Sequence, residues 1–220
     1  MCIRDRESYK GKLRDLLTWY RKKMTDLGIE IHYNEKVESI DQFAGVPVII
    51  ATGAVPRVLK KVPGHEKMVE ACEYLTGTPV GEKVAVIGGG MVGCETAEYL
   101  AARGCKVSVI EMMDKIAAGE STTILPTLLE NYKTYGVEQY PSHKVKEFRM
   151  DSVVCENKDG AEVTIPCDYI VLAMGARSNE FDAAALEAAS IPVYSIGDAA
   201  GKAADISNAI RTGYDTACQL

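Results

Sequence analysis

The sequence predicts an α/β fold, and three observations carry that prediction. Short apolar segments typical of buried strands alternate with segments that have helical spacing along the 220-residue chain. One such strand, at residues 84–87, runs directly into a glycine-rich turn, and a helix and a second strand follow it. Hydrophobic residues make up 47% of the chain, which is enough apolar material for one or two globular cores.

Three kinds of segment make up the N-terminal part of the chain. A helix is predicted over residues 8–27, where apolar side chains recur at three- and four-residue spacing. Residues 29–33 and 47–51 predict short strands. Residues 54–83 are rich in proline, glycine and charge, which predicts a connection between two domains.

A strand–helix–strand unit follows that connection, with its segments at residues 84–87, 91–103 and 107–110. A helix is predicted next, at residues 124–135. Three alternating stretches, at 145–148, 152–156 and 162–165, predict a small antiparallel ribbon. Two further strands at 169–173 and 193–196 and a final helix from about Ile206 complete the prediction.

Composition and charge exclude several classes of function. The formal net charge of −6, with no basic patch, argues against a nucleic-acid partner. No run of 18 apolar residues is present to cross a membrane, and the first residues lack the apolar core of a signal peptide. We therefore expect a cytoplasmic protein.

The cysteines and histidines predict no metal or redox site. The cysteines are scattered without a C-x-x-C pair, so we expect reduced thiols that act as small buried apolar groups. The histidines lie too far apart for a local metal motif. These residues are Cys2, Cys72, Cys94, Cys105, Cys155, Cys167 and Cys218, and His32, His65 and His143.

The glycine-rich turn matches the G-x-G-x-x-G motif of dinucleotide-binding proteins, and it lies between a predicted strand and a predicted helix as that function requires. The first glycine permits a tight turn, the second lets the backbone approach a pyrophosphate, and the third lets the helix pack closely on the strand. The alternative is a tight connection with no ligand. The motif residues are Gly88, Gly89, Gly90, Met91, Val92 and Gly93.

Glu111 ends the second strand of this unit, where a carboxylate can accept hydrogen bonds from ribose hydroxyls. A 2′-phosphate there would face like-charge repulsion, so NAD is favoured over NADP, although Lys115 leaves some room for a phosphate. The alternative for Glu111 is a solvated charge at a strand end. For Glu95, in the first turn of the helix, the simple interpretation is a charge stabilised by the helix dipole.

Four short motifs occur in order along the chain, namely Ala51-Thr52-Gly53, the turn from Gly88 to Glu95, Ala173-Met174-Gly175 and Ile196-Gly197-Asp198. In type and order they resemble those of the two-dinucleotide-fold flavin reductases of the glutathione-reductase-like superfamily. Residues 73–77 and the pair Cys94-Glu95 give a closer resemblance to the C-terminal half of NADH:flavin oxidoreductases related to 2,4-dienoyl-CoA reductase and 2-enoate reductase.

The resemblance implies a Rossmann-like NAD-binding domain inserted in an incomplete Rossmann-like FAD-binding domain. The implied boundaries are 1–78 and 179–220 for the two parts of the FAD-binding domain and 79–178 for the NAD-binding domain. The NAD site would include Gly88, Gly90, Gly93, Glu95, Glu111 and Gly175, and the flavin would contact Thr52, Gly53, Gly197 and Asp198. Taken alone, Thr52-Gly53 and Asp198 are also typical of ordinary turns after strands.

The function implied by the resemblance is transfer of hydride from NADH to FAD and onward to an unsaturated carbonyl or enoyl-CoA acceptor. Because the family's first G-x-G-x-x-G motif and its barrel are missing, we expect an N-terminally truncated chain without a catalytic acid. The small-molecule acceptor, FMN and any iron–sulfur cluster would then belong to the missing domain. Alternatives are an NADH-dependent reductase of a redox protein and a noncatalytic NAD-binding module, and homo-oligomerisation stays open.

Overall fold

The computed structural model describes residues 11–37, 43, 45–71, 82–118, 123–179, 181 and 184–220. Within these ranges the chain forms two compact units. The first unit contains the residues up to Lys23 and Val58–Gly175, and the second unit contains Met24–Arg57 and Ala176–Leu220. None of the helices in these ranges is long and apolar enough to cross a membrane.

The helices of the described residues are α1 (Gly11–Asp26), α2 (Met91–Ala101), α3 (Leu125–Tyr135), α4 (Ala184–Ala188) and α5 (Ile206–Ala217). The strands are β1 (Val48–Ile50), β2 (Ala54–Pro56), β3 (Met68–Glu70), β4 (Lys83–Ile87), β5 (Lys106–Ile110), β6 (Glu138–Tyr140), β7 (Lys144–Phe148), β8 (Ser152–Glu156), β9 (Glu162–Pro166), β10 (Tyr169–Leu172), β11 (Ala176–Ser178) and β12 (Val193–Ser195).

The first unit is built on a five-stranded sheet in the order β3-β10-β4-β5-β6, and every neighbouring pair is parallel. The predicted strand–helix–strand unit is confirmed as β4, α2 and β5. Four of the five residues in both β4 and β5 are buried, as expected for strands covered on both faces.

Alternate residues of the central strands supply two separate cores, because successive side chains point to opposite faces of a sheet. On one face, Val84 and Val86 of β4 pack in the same cluster as residues of α2 and α3. On the other face, Ala85 and Ile87 pack with the antiparallel ribbon of β7, β8 and β9. The predicted ribbon is therefore confirmed, and it covers the face that the helices leave open.

The second unit contains two small sheets and the final helix. Strand β1 pairs in parallel with β12, and β2 pairs antiparallel with β11.

The predicted helix near the N-terminus is confirmed as α1 and the predicted final helix as α5.

One expectation about the N-terminal part was wrong. Residues 29–33 form no strand, because they find no hydrogen-bonding partner strand in the described part of the chain, and Ile29 and Tyr33 are exposed. The predicted connection at residues 54–83 does contain the boundary between the two units, at Arg57 and Val58. It also contains β2 and β3, and β3 lies at the edge of the five-stranded sheet beside β10. A strand at a sheet edge needs only one partner, so a proline- and glycine-rich segment can still supply it.

Three of the five described thiols follow the predicted pattern. Cys94, Cys155 and Cys167 are buried, as expected, but Cys218 is exposed. Cys105 is partly buried, and Cys2 and Cys72 lie outside the described residues. Burial raises the pKa of Cys155 to about 11 and, with a smaller contribution from Asp168, that of Cys167 to about 12.

Alkylation of the native protein with iodoacetamide tests this distribution of thiols. The raised pKa values keep Cys155 and Cys167 protonated near neutral pH, and only the thiolate reacts. Among the five described cysteines we therefore expect Cys218 to be modified first and these two last. Peptide mass spectrometry over a time course measures the order. Modification of Cys155 at the rate of Cys218 in folded protein would show that the ribbon core is wrongly placed.

Candidate functional site

Three of the residues predicted to form a site lie at one edge of the five-stranded sheet. The last residue of β4, Ile87, is in register with Leu172 of β10 and with Ile110 of β5. The chain therefore leaves these parallel strands at the same edge, where Gly88, Glu111 and the Ala173 to Gly175 segment follow them. Ligands of open α/β sheets bind at this carboxyl edge.

The first and last glycines of the motif are required by the protein's own packing. Gly88 has φ +108°, and a Cβ there would lie 2.5 Å from the carbonyl oxygen of Ala173. A Cβ on Gly93 would overlap the carbonyl oxygen of Gly88. Both positions therefore hold the helix close to the strand, as expected for their places in the motif.

The packing of the protein does not require a glycine at position 90. Its φ of −78° suits any residue, and a Cβ there would have no heavy atom within 4 Å in the described structure. It is the N-cap of α2, with no side-chain hydrogen bond to cap the helix among the described residues, and the following Met91 and Val92 are exposed. The amides of this first turn and the positive end of the helix dipole face an open approach, which suits a pyrophosphate.

Glu111 contacts the glycine turn directly. Its Oε2 accepts a hydrogen bond of 2.6 Å from the Gly89 amide, and its Oε1 accepts one of 2.8 Å from the Met113 amide. A Cβ on Gly89 would lie 3.0 Å from the Cβ of Glu111, so only glycine fits easily against this side chain. A carboxylate oxygen has two acceptor positions, so each oxygen can also accept a ribose hydroxyl.

The loop after β5 folds back onto the same turn. The Ala117 amide donates to the Gly89 carbonyl at 2.7 Å, and the His143 amide donates to the Glu111 carbonyl at 2.9 Å. Ala117 has φ +57°, an uncommon conformation for alanine that no sequence pattern indicates. Sequence reasoning missed both contacts.

Glu95 and Gly175 lie in the elements that the sequence predicts for them, and their roles at a ligand stay predictions. Glu95 lies in α2, two residues after Gly93, and is partly buried. Gly175 has φ +75° and follows β10 at the edge that also carries Gly88.

In the second unit, Thr52 and Gly53 are held by a residue that the sequence did not single out. The Thr52 hydroxyl donates to the Asn179 carbonyl at 2.6 Å, and the Asn179 amide donates to the Gly53 carbonyl at 2.9 Å. The side-chain amide of Asn179 also donates to the Thr52 carbonyl at 3.3 Å. These polar groups therefore join the segments that follow β1 and β11.

Gly197 and Asp198 form a short 3-10 turn after β12. The Gly197 amide donates to the Thr212 hydroxyl at 2.9 Å, and an Asp198 carboxylate oxygen accepts from the Ala204 amide at 2.9 Å. The first turn of α5 is capped by its own N-cap residue, Asp205, which accepts from the Asn208 amide at 2.7 Å. That cap was missed, although an Asp immediately before a helix is a recognisable signal.

A cavity of about 380 Å³ lies at the opposite edge of the sheet, near the amino ends of β4 and β5. The described residues hold no cluster of His, Cys, Asp or Glu side chains suited to a metal ion. The cavity is lined by Lys83, Lys106, Val107, Ser108, Gly136, Glu138 and Pro166.

Comparison with known proteins identifies the family. The family model for pyridine nucleotide-disulphide oxidoreductases matches residues 43–213. The chain belongs to this family. Its α/β fold, with a parallel sheet behind the glycine turn, agrees with that membership.

Individual members of the family match nearly all of the chain. A bilirubin reductase of Mediterraneibacter gnavus is 39% identical over 93% of this chain and 32% of its own length. A cinnamate reductase of Clostridium sporogenes is 34% identical over 95% of this chain and 32% of its own length. The solved 2-naphthoyl-CoA reductase complex superposes with a TM-score of 0.86 at 26% identity, over 100% of this chain and 34% of that one. The chain thus spans about one third of the length of these relatives.

Membership of the pyridine nucleotide-disulphide oxidoreductase family implies binding of FAD and of a nicotinamide dinucleotide. The described residues fit the nicotinamide dinucleotide, because Gly90 leaves an open approach beside uncapped helix amides and Glu111. They fit only part of a FAD site. The G-x-G-x-x-G motif occurs once in the sequence, and the polar groups of Thr52 and Gly53 are bonded to Asn179.

Proposed function

We propose that this chain supplies the NADH-binding part of a flavoprotein oxidoreductase. The observation that carries the proposal is the absence of a side chain at Gly90, which neither the backbone conformation nor neighbouring atoms demand. A ligand that approaches the helix amides explains it. We further propose that residues 79–178 form the NAD-binding domain, with β3 from the preceding segment at the edge of its sheet, and that 1–78 and 179–220 belong to the FAD-binding domain.

The proposed roles of the site residues follow from their positions. Amides at the start of α2 hold the pyrophosphate, with Gly88 and Gly93 shaping the turn, and Glu111 accepts hydrogen bonds from the adenosine ribose. Gly175, at the same edge of the sheet, would line the dinucleotide. Glu95 is proposed to lie toward the nicotinamide end, and Thr52, Gly53, Gly197 and Asp198 toward the flavin.

NADH is proposed over NADPH because the Glu111 carboxylate lies at the turn itself, 2.6 Å from the Gly89 amide. A 2′-phosphate on the ribose would bring two further negative charges close to this carboxylate, and like charges at that separation repel.

For the longer protein we propose reduction of an unsaturated carbonyl or enoyl-CoA acceptor. Support comes from the names of two relatives, a cinnamate reductase and a 2-naphthoyl-CoA reductase, which both act on unsaturated acids or thioesters. Flavin supplies the hydride-accepting chemistry in such enzymes when it is bound. The chain's own residues bind and orient the dinucleotide, and none of them is assigned a proton transfer to the acceptor.

A second candidate is an NAD-binding module that holds no flavin of its own. The bonding of Thr52 and Gly53 to Asn179 favours it.

Substitutions at Gly90 and Gly93 separate ligand contact from packing. Gly90→Ala should cost about 1 kcal/mol of unfolding free energy or less but weaken NADH binding about tenfold or more, because the methyl group occupies the approach to the amides. Gly93→Ala should cost about 3 kcal/mol, because its methyl group overlaps the Gly88 carbonyl. Urea denaturation and calorimetric titration with NADH measure the two effects. Unchanged NADH affinity in folded Gly90→Ala protein would remove the main support for the proposal.

Replacement of Glu111 by glutamine tests the ribose contact and the preference for NADH. Glu111→Gln keeps the shape of the side chain but removes the charge, and its NH2 group cannot accept one of the two backbone hydrogen bonds. We expect about a tenfold weaker affinity for NADH and a smaller ratio of NADH to NADPH affinity. Fluorescence titrations with NADH and with NADPH give the dissociation constants of the two dinucleotides.

Glu82→Gln is the matched control for this substitution, because Glu82 is exposed and pairs with Lys106. It should leave both affinities unchanged. A wild-type chain that binds NADPH as tightly as NADH would contradict the proposed role of the Glu111 charge.

The visible spectrum of the purified chain decides between the two candidate functions. A flavoprotein part should retain FAD, or take it up when it is added, and give a flavin absorbance that NADH bleaches. NADH binding without any flavin uptake would instead favour the module, because the dinucleotide site would then operate without its redox partner.

A further inference from the structure

Cys94 directly follows the last glycine of the motif and is 1% exposed. Its Sγ lies 3.3 Å from the carbonyl oxygen of Gly89 and donates its S–H hydrogen to it. The thiol of a buried cysteine is often no more than a small apolar group. Here it contacts the backbone of the turn that is proposed to bind the dinucleotide.

The peptide between Gly89 and Gly90 is held from one side. The Gly89 carbonyl accepts hydrogen bonds from the Cys94 thiol and from the Ala117 amide, the latter at 2.7 Å. The described chain contains no cis peptide bond, and in a trans peptide the C=O and the following N–H point in opposite directions. With the carbonyl fixed toward Cys94 and Ala117, the Gly90 N–H points away from them.

Gly90 is also the position at which a Cβ would meet no heavy atom within 4 Å. The residue that carries this N–H therefore has open space beside it at the start of α2. A peptide held in this orientation offers its N–H without the cost of reorienting when a phosphate arrives.

Cys94 is itself held by a buried residue of another helix. The hydroxyl of Tyr132 in α3, which is 1% exposed, donates to the Cys94 carbonyl at 3.0 Å. Burial, with a contribution from neighbouring Cys94, raises the pKa of Tyr132 above its usual range, so the hydroxyl remains a donor. The contact fixes α3 against the first turns of α2.

We propose that Cys94 is a positioning residue for the dinucleotide: its thiol holds the Gly89–Gly90 peptide so that the Gly90 N–H faces the pyrophosphate. The inference rests on the proposed function of the glycine turn. It differs from the expectation that the cysteines only fill space, because a space-filling residue at position 94 would not need a hydrogen-bond donor.

The test compares three variants of the 220-residue chain by calorimetric titration with NADH. Cys94→Ala removes the donor and should raise the Kd about fivefold, whereas Cys94→Ser retains a donor and should stay within about twofold of wild type. Cys155→Ala is the matched control, since Cys155 is equally buried but lies in the core on the other face of the sheet. It should lower the melting temperature about as much as Cys94→Ala and leave the Kd unchanged.

If wild type binds NADH and folded Cys94→Ala binds it equally well, or if Ala and Ser weaken binding equally, the positioning role is wrong while the proposed function stands. If wild type binds no NADH, both fail. If Cys94→Ala does not fold, Tyr132→Phe replaces it, because it removes the hydroxyl that holds Cys94 and keeps the ring. We expect a Kd about threefold higher for that variant, and an unchanged Kd would overturn the inference.

Discussion

The hydrogen bond from the Gly89 amide to the Glu111 carboxylate joins the ends of two neighbouring parallel strands. It places a negative charge beside a turn whose other amides lie at the positive end of α2, so in the proposed site the pyrophosphate and the ribose of a dinucleotide would meet complementary groups a few ångströms apart. The rest of the first unit supports this contact. Packing on both faces of the sheet fixes the strands, and the loop through Ala117 closes over the Gly89 carbonyl.

Patterns of neighbouring residues predicted those helices and strands whose formation depends mainly on their own sequence. The strand–helix–strand unit follows from apolar periodicity and from the glycines between strand and helix, and parallel strands then bring Gly88 and Glu111 to one edge. The failures involve pairing between distant segments. Residues 29–33 have strand-like composition without a described partner, whereas β3 lies in a proline- and glycine-rich stretch but pairs with β10, about a hundred residues later. Residues 73–77, which carry part of the closer family resemblance, lie outside the described residues.

The same distinction applies to the site. The motif residues and Glu111 carry a sequence signal because their types and spacing are tied to the ligand. Asn179 and Ala117 carry none, because their contributions are hydrogen bonds to backbone groups of distant segments, and many side chains and amides can make such bonds. Cys94 lies between these two cases. The sequence shows its place beside the motif, but its hydrogen bond to Gly89 depends on the direction of the Gly89–Gly90 peptide, which only the structure provides.

Hydrogen exchange of the turn amides, followed by NMR with and without NADH, tests whether these N–H groups bind the dinucleotide. We expect slower exchange at residues 90–93 when NADH binds, with smaller effects at Gly89 and Met113, whose amides already donate to Glu111. Saturable NADH binding that leaves these amides unchanged, and protects residues at the opposite edge of the sheet instead, would contradict it.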